Sequence, residues 1–222
     1  MADSEREMKR FIDLSHTIEH GMITYKGLPA PIVCDYLSRE DSKKFYSEGT
    51  SFQIGKIEMI TNTGTYIDSP FHRYEDGKDL SEFELERFVN IPAIVVRTKE
   101  MSVGVDTFKQ HDVKGKAVLI NTGWSKHWRT DQYFENHPFL TEDAAKYLKE
   151  NGAKLVGIDS HNIDDTRTKS RPVHTTLLGA EILIVEHLCN LEDLPTSFLF
   201  TAVPPKFKGV GTFPVRAFAS LI

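Results

Sequence analysis

Cysteine is scarce: Cys34 and Cys189 are the only two in 222 residues. They could form at most one bridge, which excludes a disulfide scaffold, and neither belongs to a Cys-x-x-Cys redox pair. Two buried free thiols are expected. Long apolar runs are missing as well. The longest aliphatic stretches hold four residues, as in Ile182, Leu183, Ile184 and Val185, against the roughly 20 that a membrane-spanning helix needs. The first ten residues are rich in charge and lack the apolar region of a signal peptide, so a soluble, cytoplasmic protein is expected, with no membrane partner. No cluster of Lys and Arg stands out, and a formal net charge of −5 repels a phosphate backbone, so nucleic acid is not expected as a partner. A Gly-x-Ser-x-Gly elbow and a P-loop are both absent, and Gly209-Val-Gly211 lacks the third glycine and following helix of a dinucleotide site.

What is there is an ordinary globular composition, 40% hydrophobic with 14 glycines. Surface scaling for this mass leaves roughly 10,000 Å² exposed out of roughly 36,000 Å² in the open chain, enough burial for one sizeable core. No linker divides the chain, so residues 1–222 are expected to form a single domain. Segments 11–18, 51–61, 91–97, 117–121, 154–158, 181–185, 198–203 and 215–222 are β-branched or aromatic and read as strands. Ser81 with Glu84 has the spacing of a capping box opening a short helix toward Phe88. Thr141 caps a clearer helix with Ala144, Ala145 and Leu148 on its apolar stripe, and Gly152 ends it. Strands outnumber helices. The expected class is α/β, a mixed sheet or open barrel with peripheral helices.

Chemistry concentrates in two places. In the first, Gly64 permits a bend and Pro70 fixes the chain between Asp68 and His72, which can converge on one point. A hard carboxylate with an imidazole suits Zn²⁺, Mn²⁺ or Fe²⁺, although such a pair also serves as a cap or a surface contact. The second is Arg171-Pro-Val-His174, with Glu186 twelve residues later. His174 opens a short helical stretch, residues 175–180, where it could equally cap the helix or sit in the core. Glu186 closes the apolar strand 182–185, where a carboxylate is either solvated, paired or ligating.

The run Asn62-x-Gly64-Thr65-Tyr66-x-Asp68-x-Pro70-x-His72 resembles the signature of the cyclase family, kynurenine formamidase-like metal-dependent hydrolases, written His-x-Gly-Thr-His-x-Asp-x-Pro-x-His. Asp13-Leu-Ser-His and Gly21-Met-Ile-Thr-Tyr-Lys-Gly27 resemble the family's opening strand and loop, and Asn121-Thr-Gly-Trp124, Val156-Gly-Ile-Asp159, His174 with Glu186, and Pro214-Val-Arg-Ala217 resemble later blocks in the right order. The resemblance implies a three-layer swivelling β/β/α-type fold and a homodimer or homotetramer. It implies hydrolysis of a small-molecule amide or formamide, or of a cyclic amide or lactone. Asp68, His174 and Glu186 fall on metal ligands and His72 on the general acid/base, with water on the metal as nucleophile. Two signature histidines are replaced by Asn62 and Tyr66. A phenol ligates well only after losing a proton of pKa near 10, so one divalent ion per chain, Zn or Mn, is expected rather than two. The alternative is a catalytically degenerate cyclase fold in which Asn62 and Tyr66 line a binding pocket. Tyr25, Phe71, Trp124 and Trp128 could wall the pocket or belong to the core. The apolar segment 213–222 suggests a surface that a second copy covers.

Overall fold

The computed structural model describes residues 10–221. In chain order its strands are β1 (Phe11–Asp13), β2 (Ile32–Leu37), β3 (Ile54–Glu58), β4 (Tyr66–Asp68), β5 (Ile91–Arg97), β6 (Ser102–Val103), β7 (Ala117–Asn121), β8 (Phe139–Leu140), β9 (Leu155–Ile158), β10 (Leu183–Glu186), β11 (Ser197–Thr201), β12 (Thr212–Pro214) and β13 (Phe218–Ser220). The helices are α1 (Arg39–Ser42), α2 (Glu142–Glu150) and α3 (Pro172–Leu178). A nine-stranded mixed sheet runs β1-β13-β11-β5-β7-β9-β10-β4-β12. Its centre, β5, β7, β9 and β10, is parallel, and the flanking strands are antiparallel.

The parallel strands are apolar on both faces because both faces are covered. Val118, Ile120, Val156, Ile158 and Ile184 pack with Ala144, Ala145 and Leu148 of α2 and with Val173 and Leu177 of α3. The alternate residues Ala117, Leu119, Leu155, Leu183 and Val185 join Leu14, Ile67, Phe198, Phe200 and Ala219 on the other face. That second core exists because the sheet curls. Residues 215–217 alone join β12 to β13, so the ends of that link lie at most about 14 Å apart. In a flat sheet those strands, seven positions apart in the order, would be about 34 Å apart. The two ends of the sheet are therefore drawn together, and Val215 N–H donates to Thr65 O while Leu14 N–H donates to Ala217 O. The fold is α/β with a mixed sheet and few helices, as expected.

Several local expectations change. The capping box is Asp79 with Glu82, not Ser81 with Glu84. Asp79 is the stronger acceptor, and the Ser81 hydroxyl itself donates to Asp79 Oδ1; two 3₁₀ turns follow in place of a helix. Of segment 215–222, Ile222 lies outside the described residues, and residues 215–221 contribute β13, which is paired on both sides by β1 and β11 and is no open edge. Exposed apolar residues are concentrated on the β2–β3 hairpin, where Ile32, Val33, Tyr36, Ile54 and Ile57 face solvent, and Phe11 of β1, which packs on Phe218, is exposed as well. Cys34 sits on that hairpin and is exposed, so only Cys189 is a buried thiol. Among the described residues no helix is long and apolar enough to cross a membrane.

The cap of α2 follows expectation: Thr141 Oγ1 accepts from Ala144 N–H at 3.1 Å. Thr141→Ala is expected to cost about 1 kcal/mol, read as a lower urea midpoint at unchanged slope; an unchanged midpoint would show that the cap carries no weight.

Candidate metal centre and its cleft

Three strands and a helix assemble the site. Across the antiparallel β4–β10 ladder Tyr66 lies opposite Glu186, and across β4–β12 Asp68 lies opposite Thr212. Register partners share a face, so these four side chains occupy the face opposite Ile67, the one α3 covers. His174 is in the first turn of α3, which spans Pro172–Leu178 rather than the expected 175–180. Asp164 fixes that turn: its carboxylate accepts from the N–H groups of Val173 (2.8 Å) and His174 (3.0 Å) and from His174 Nδ1 (2.6 Å). His72 lies in a 3₁₀ turn opened by Pro70.

Asp68 is fully buried, and its Oδ2 has no hydrogen-bond partner. His174 Nε2 is 3.7 Å from that oxygen and 3.9 Å from Glu186 Oε1. Two ligands each about 2.1 Å from one ion in tetrahedral array sit roughly 3.4 Å apart, so these separations are of the size one cation bridges. Asp68, His72 and His174 each offer a ligand atom, all within 4.8 Å of one another. The Thr212 hydroxyl donates to Asp68 Oδ1. Having spent its one proton there, Thr212 accepts from His72 Nδ1–H at 2.9 Å, which leaves the His72 lone pair on Nε2. Asp164 does the same for His174, whose Nε2 is then the ligating nitrogen. The donor set, hard carboxylates with imidazoles around an orphaned buried oxygen, fits a divalent cation. Without one, burial disfavours a charged His174, but the Asp164 bond and the charges of Asp68 and Glu186 prevail and lift its pKa to about 10.

Glu186 is not the solvated end of a strand. It is completely buried, and burial pushes its pKa up while the nearby His174 opposes that shift. Its Oε1 accepts from Ile163 N–H at 2.6 Å, and its Oε2 from the Tyr66 hydroxyl at 2.5 Å. Tyr66 is thus a donor to Glu186, and burial beside Glu186 holds its phenol well above the usual range. Asn62 lines the cleft, about 270 Å³, with Tyr25, Leu28, Tyr66, His72 and His174 among its walls. Of the four aromatic candidates only Tyr25 is there. Trp128 stacks on His16 at 4.0 Å, Trp124 Nε1 donates to Tyr133 O, and Phe71 lies outside the lining.

Sequence reading missed Asp164, Thr212 and Asn162, whose side chain accepts from Asp164 N–H and donates to Tyr25. Nothing local marks them, since each acts on a residue brought in by the fold. Gly211 had a weak signal. A Cβ there would lie 2.4 Å from His72 N and 2.7 Å from its Cα, so only glycine lets β12 pass against the His72 turn.

A family model named Cyclase, described as "putative cyclase", matches residues 12–165. The kynurenine formamidase of Geobacillus thermodenitrificans is 30% identical over 212 residues, 95% of this chain and 97% of that one. The chain belongs to the cyclase family. A solved protein described as a "predicted metal-dependent hydrolase" from Bacillus stearothermophilus is 27% identical over 94% of this cyclase-family chain and 97% of the other, with a TM-score of 0.75. Isatin hydrolase A from Labrenzia aggregata, 22% identical, shares the fold over 96% of this chain and 93% of its own, with a TM-score of 0.82.

Gly211→Ala is expected to displace His72 and lower turnover at least tenfold; full activity would show that the turn absorbs the methyl group. A second outcome concerns buried histidines behind the site. Burial holds His16 down to about 4 and His161 to about 3. Each is neutral when folded and takes up a proton on unfolding below about pH 6.5, so the stability they retain at pH 7 is lost as the pH falls toward 4. The slope is about 1.4 kcal/mol per proton per pH unit. Urea unfolding at pH 7 and 5.5 should show it, and His161→Gln should flatten it by about one proton. An unchanged slope in that variant would contradict the reading.

Proposed function

We propose that this protein is a metal-dependent hydrolase of a small amide, arylformamidase-like, with cyclic amides or lactones as the neighbouring possibility. The observation that carries it is the buried, unpartnered Asp68 oxygen facing His174 Nε2 at 3.7 Å. The relationship to a protein named kynurenine formamidase supports the amide. Asp68, His174 and Glu186 would hold the ion, Zn²⁺ or Mn²⁺. When bound, it supplies a Lewis acid for the substrate carbonyl and lowers the pKa of water.

The protein's own groups do the rest. His72, exposed at the cleft and carrying its lone pair on Nε2, takes a proton from the attacking water and returns it to the departing amine. Thr212 holds its ring by Nδ1. Tyr25 and Leu28 give the cleft an apolar side against which an aryl group packs. Tyr66 in place of a signature histidine favours the second reading, a fold that binds a small molecule without turning it over, because its protonated phenol adds no ligand.

Protein purified without added metal should carry no more than one ion per chain by elemental analysis. Asp68→Ala should abolish tight retention. His72→Ala should keep the ion and lose formanilide hydrolysis by roughly 10²–10⁴. Equal metal loss in both variants would make His72 a ligand. Metal-loaded protein that turns over no amide would leave the binding reading in place.

We infer as well that the chain works as a homodimer or homotetramer. A two-stranded ribbon that exposes apolar residues gains little stability by itself, and a second copy would cover the β2–β3 hairpin. Light scattering at micromolar concentration should report more than one chain, with Ile57→Lys shifting the protein toward monomer; a monomeric parent protein would overturn this.

A further inference from the structure

Two arginines line the cleft, and neither is neutralised by an acid. Among the described residues the arginines with a carboxylate within 4.0 Å are Arg129, Arg167 and Arg216. Arg73 and Arg171 are anchored by neutral groups instead. Arg73 Nε–H donates to Thr175 Oγ1 at 3.2 Å, on the turn of α3 that carries His174. Arg171 precedes the same helix, and its Nη1 donates to the carbonyls of Thr168 and Ser170, each at 2.8 Å. These bonds leave Arg171 the edge formed by Nε–H and Nη2–H, and leave Arg73 both terminal nitrogens. A guanidinium edge held in place matches the two oxygens of a carboxylate.

Charge points the same way. Asp68, Glu186 and Asp164, which bonds His174 Nδ1, carry −3, so one divalent cation and the two guanidinium groups would leave the site near +1. The chain as a whole is at −5, so this excess is local. A neutral amide offers the two guanidinium groups no charge to pair with, whereas an anionic amide does. Resting on the hydrolase reading above, we propose that the substrate is a small amide bearing a carboxylate, gripped by Arg171 edge-on and by Arg73. The volume of about 270 Å³ is at the small end for ligand clefts, which restricts the amide to one ring or a comparable group.

The test compares neutral formanilide with the ortho, meta and para formylated aminobenzoates, using the metal-loaded protein. The best isomer should exceed formanilide in kcat/KM at least tenfold, and Arg171→Ala and Arg73→Ala should each cut that ratio at least fivefold. Arg171→Lys should restore part of it, since the charge returns without the fork. Calorimetry with benzoate supplies a readout independent of turnover: Kd should rise about tenfold in Arg171→Ala while metal content stays constant. A ratio near one for all three isomers, or benzoate affinity unchanged in both alanine variants, would overturn the proposal. If no amide is hydrolysed the hydrolase reading fails, and the benzoate titration alone decides whether the arginines bind a carboxylate.

Discussion

Asp68 is wholly buried, with one oxygen held by Thr212 and the other given no hydrogen bond. An ionised carboxylate in such a place needs compensation, because desolvation disfavours the charge by several kcal/mol. Compensation comes from directly opposite it, His174 Nε2. The Asp164 bond and the charges of Asp68 and Glu186 favour a charged imidazole there against its burial, so a divalent ion held at this site would have to displace that proton. Asp164 works in both states, because it bonds Nδ1–H and leaves Nε2 as the nitrogen that changes.

This arrangement depends on the curl of the sheet. Thr212 lies 144 residues beyond Asp68, and it arrives because β12 closes onto β4 at one end while β13 lies between β1 and β11 at the other. The glycine at 211 is part of the same closure, since any side chain there would meet the backbone of His72. The chain end that completes the second core thus also sets the tautomer of the proposed acid/base.

Most of the architecture is legible in the sequence where a local pattern is sufficient. Strands β5 and β7 have the bounds expected for them, because each is a dense β-branched run ended by polar residues. Helix α2 announces itself by Thr141, its apolar stripe and Gly152. Asp68, His174 and Glu186 stand out by type and spacing; the structure groups Asp68 and His174 with His72, while Glu186 Oε1 lies 3.9 Å from His174 Nε2 and is bonded to Ile163 N–H. What escapes is set by register between distant strands: Thr212 opposite Asp68, Tyr66 opposite Glu186, Asp164 beneath α3. The pairing of Ser81 with Glu84 misleads for a related reason. Asp79 offers the same spacing to Glu82 with a stronger acceptor, and Gly209 N–H also bonds it from across the fold. Trp128 and Trp124 are aromatic enough for a pocket wall, yet their partners, His16 and Tyr133, lie behind the site.

The two replaced histidines and the two free arginines belong to one electrostatic balance. With Tyr66 protonated and donating to Glu186, and Asn62 neutral, the ligands nominated here bring only −2 to the site. A second divalent ion would share the cleft with Arg73 and Arg171 and, with Asp164 counted, bring the total to near +3. One ion would leave near +1, which the carboxylate of the proposed substrate would cancel. In this balance the carboxylate of the proposed substrate would do what a second ion would undo: it would lower the positive charge of the cleft.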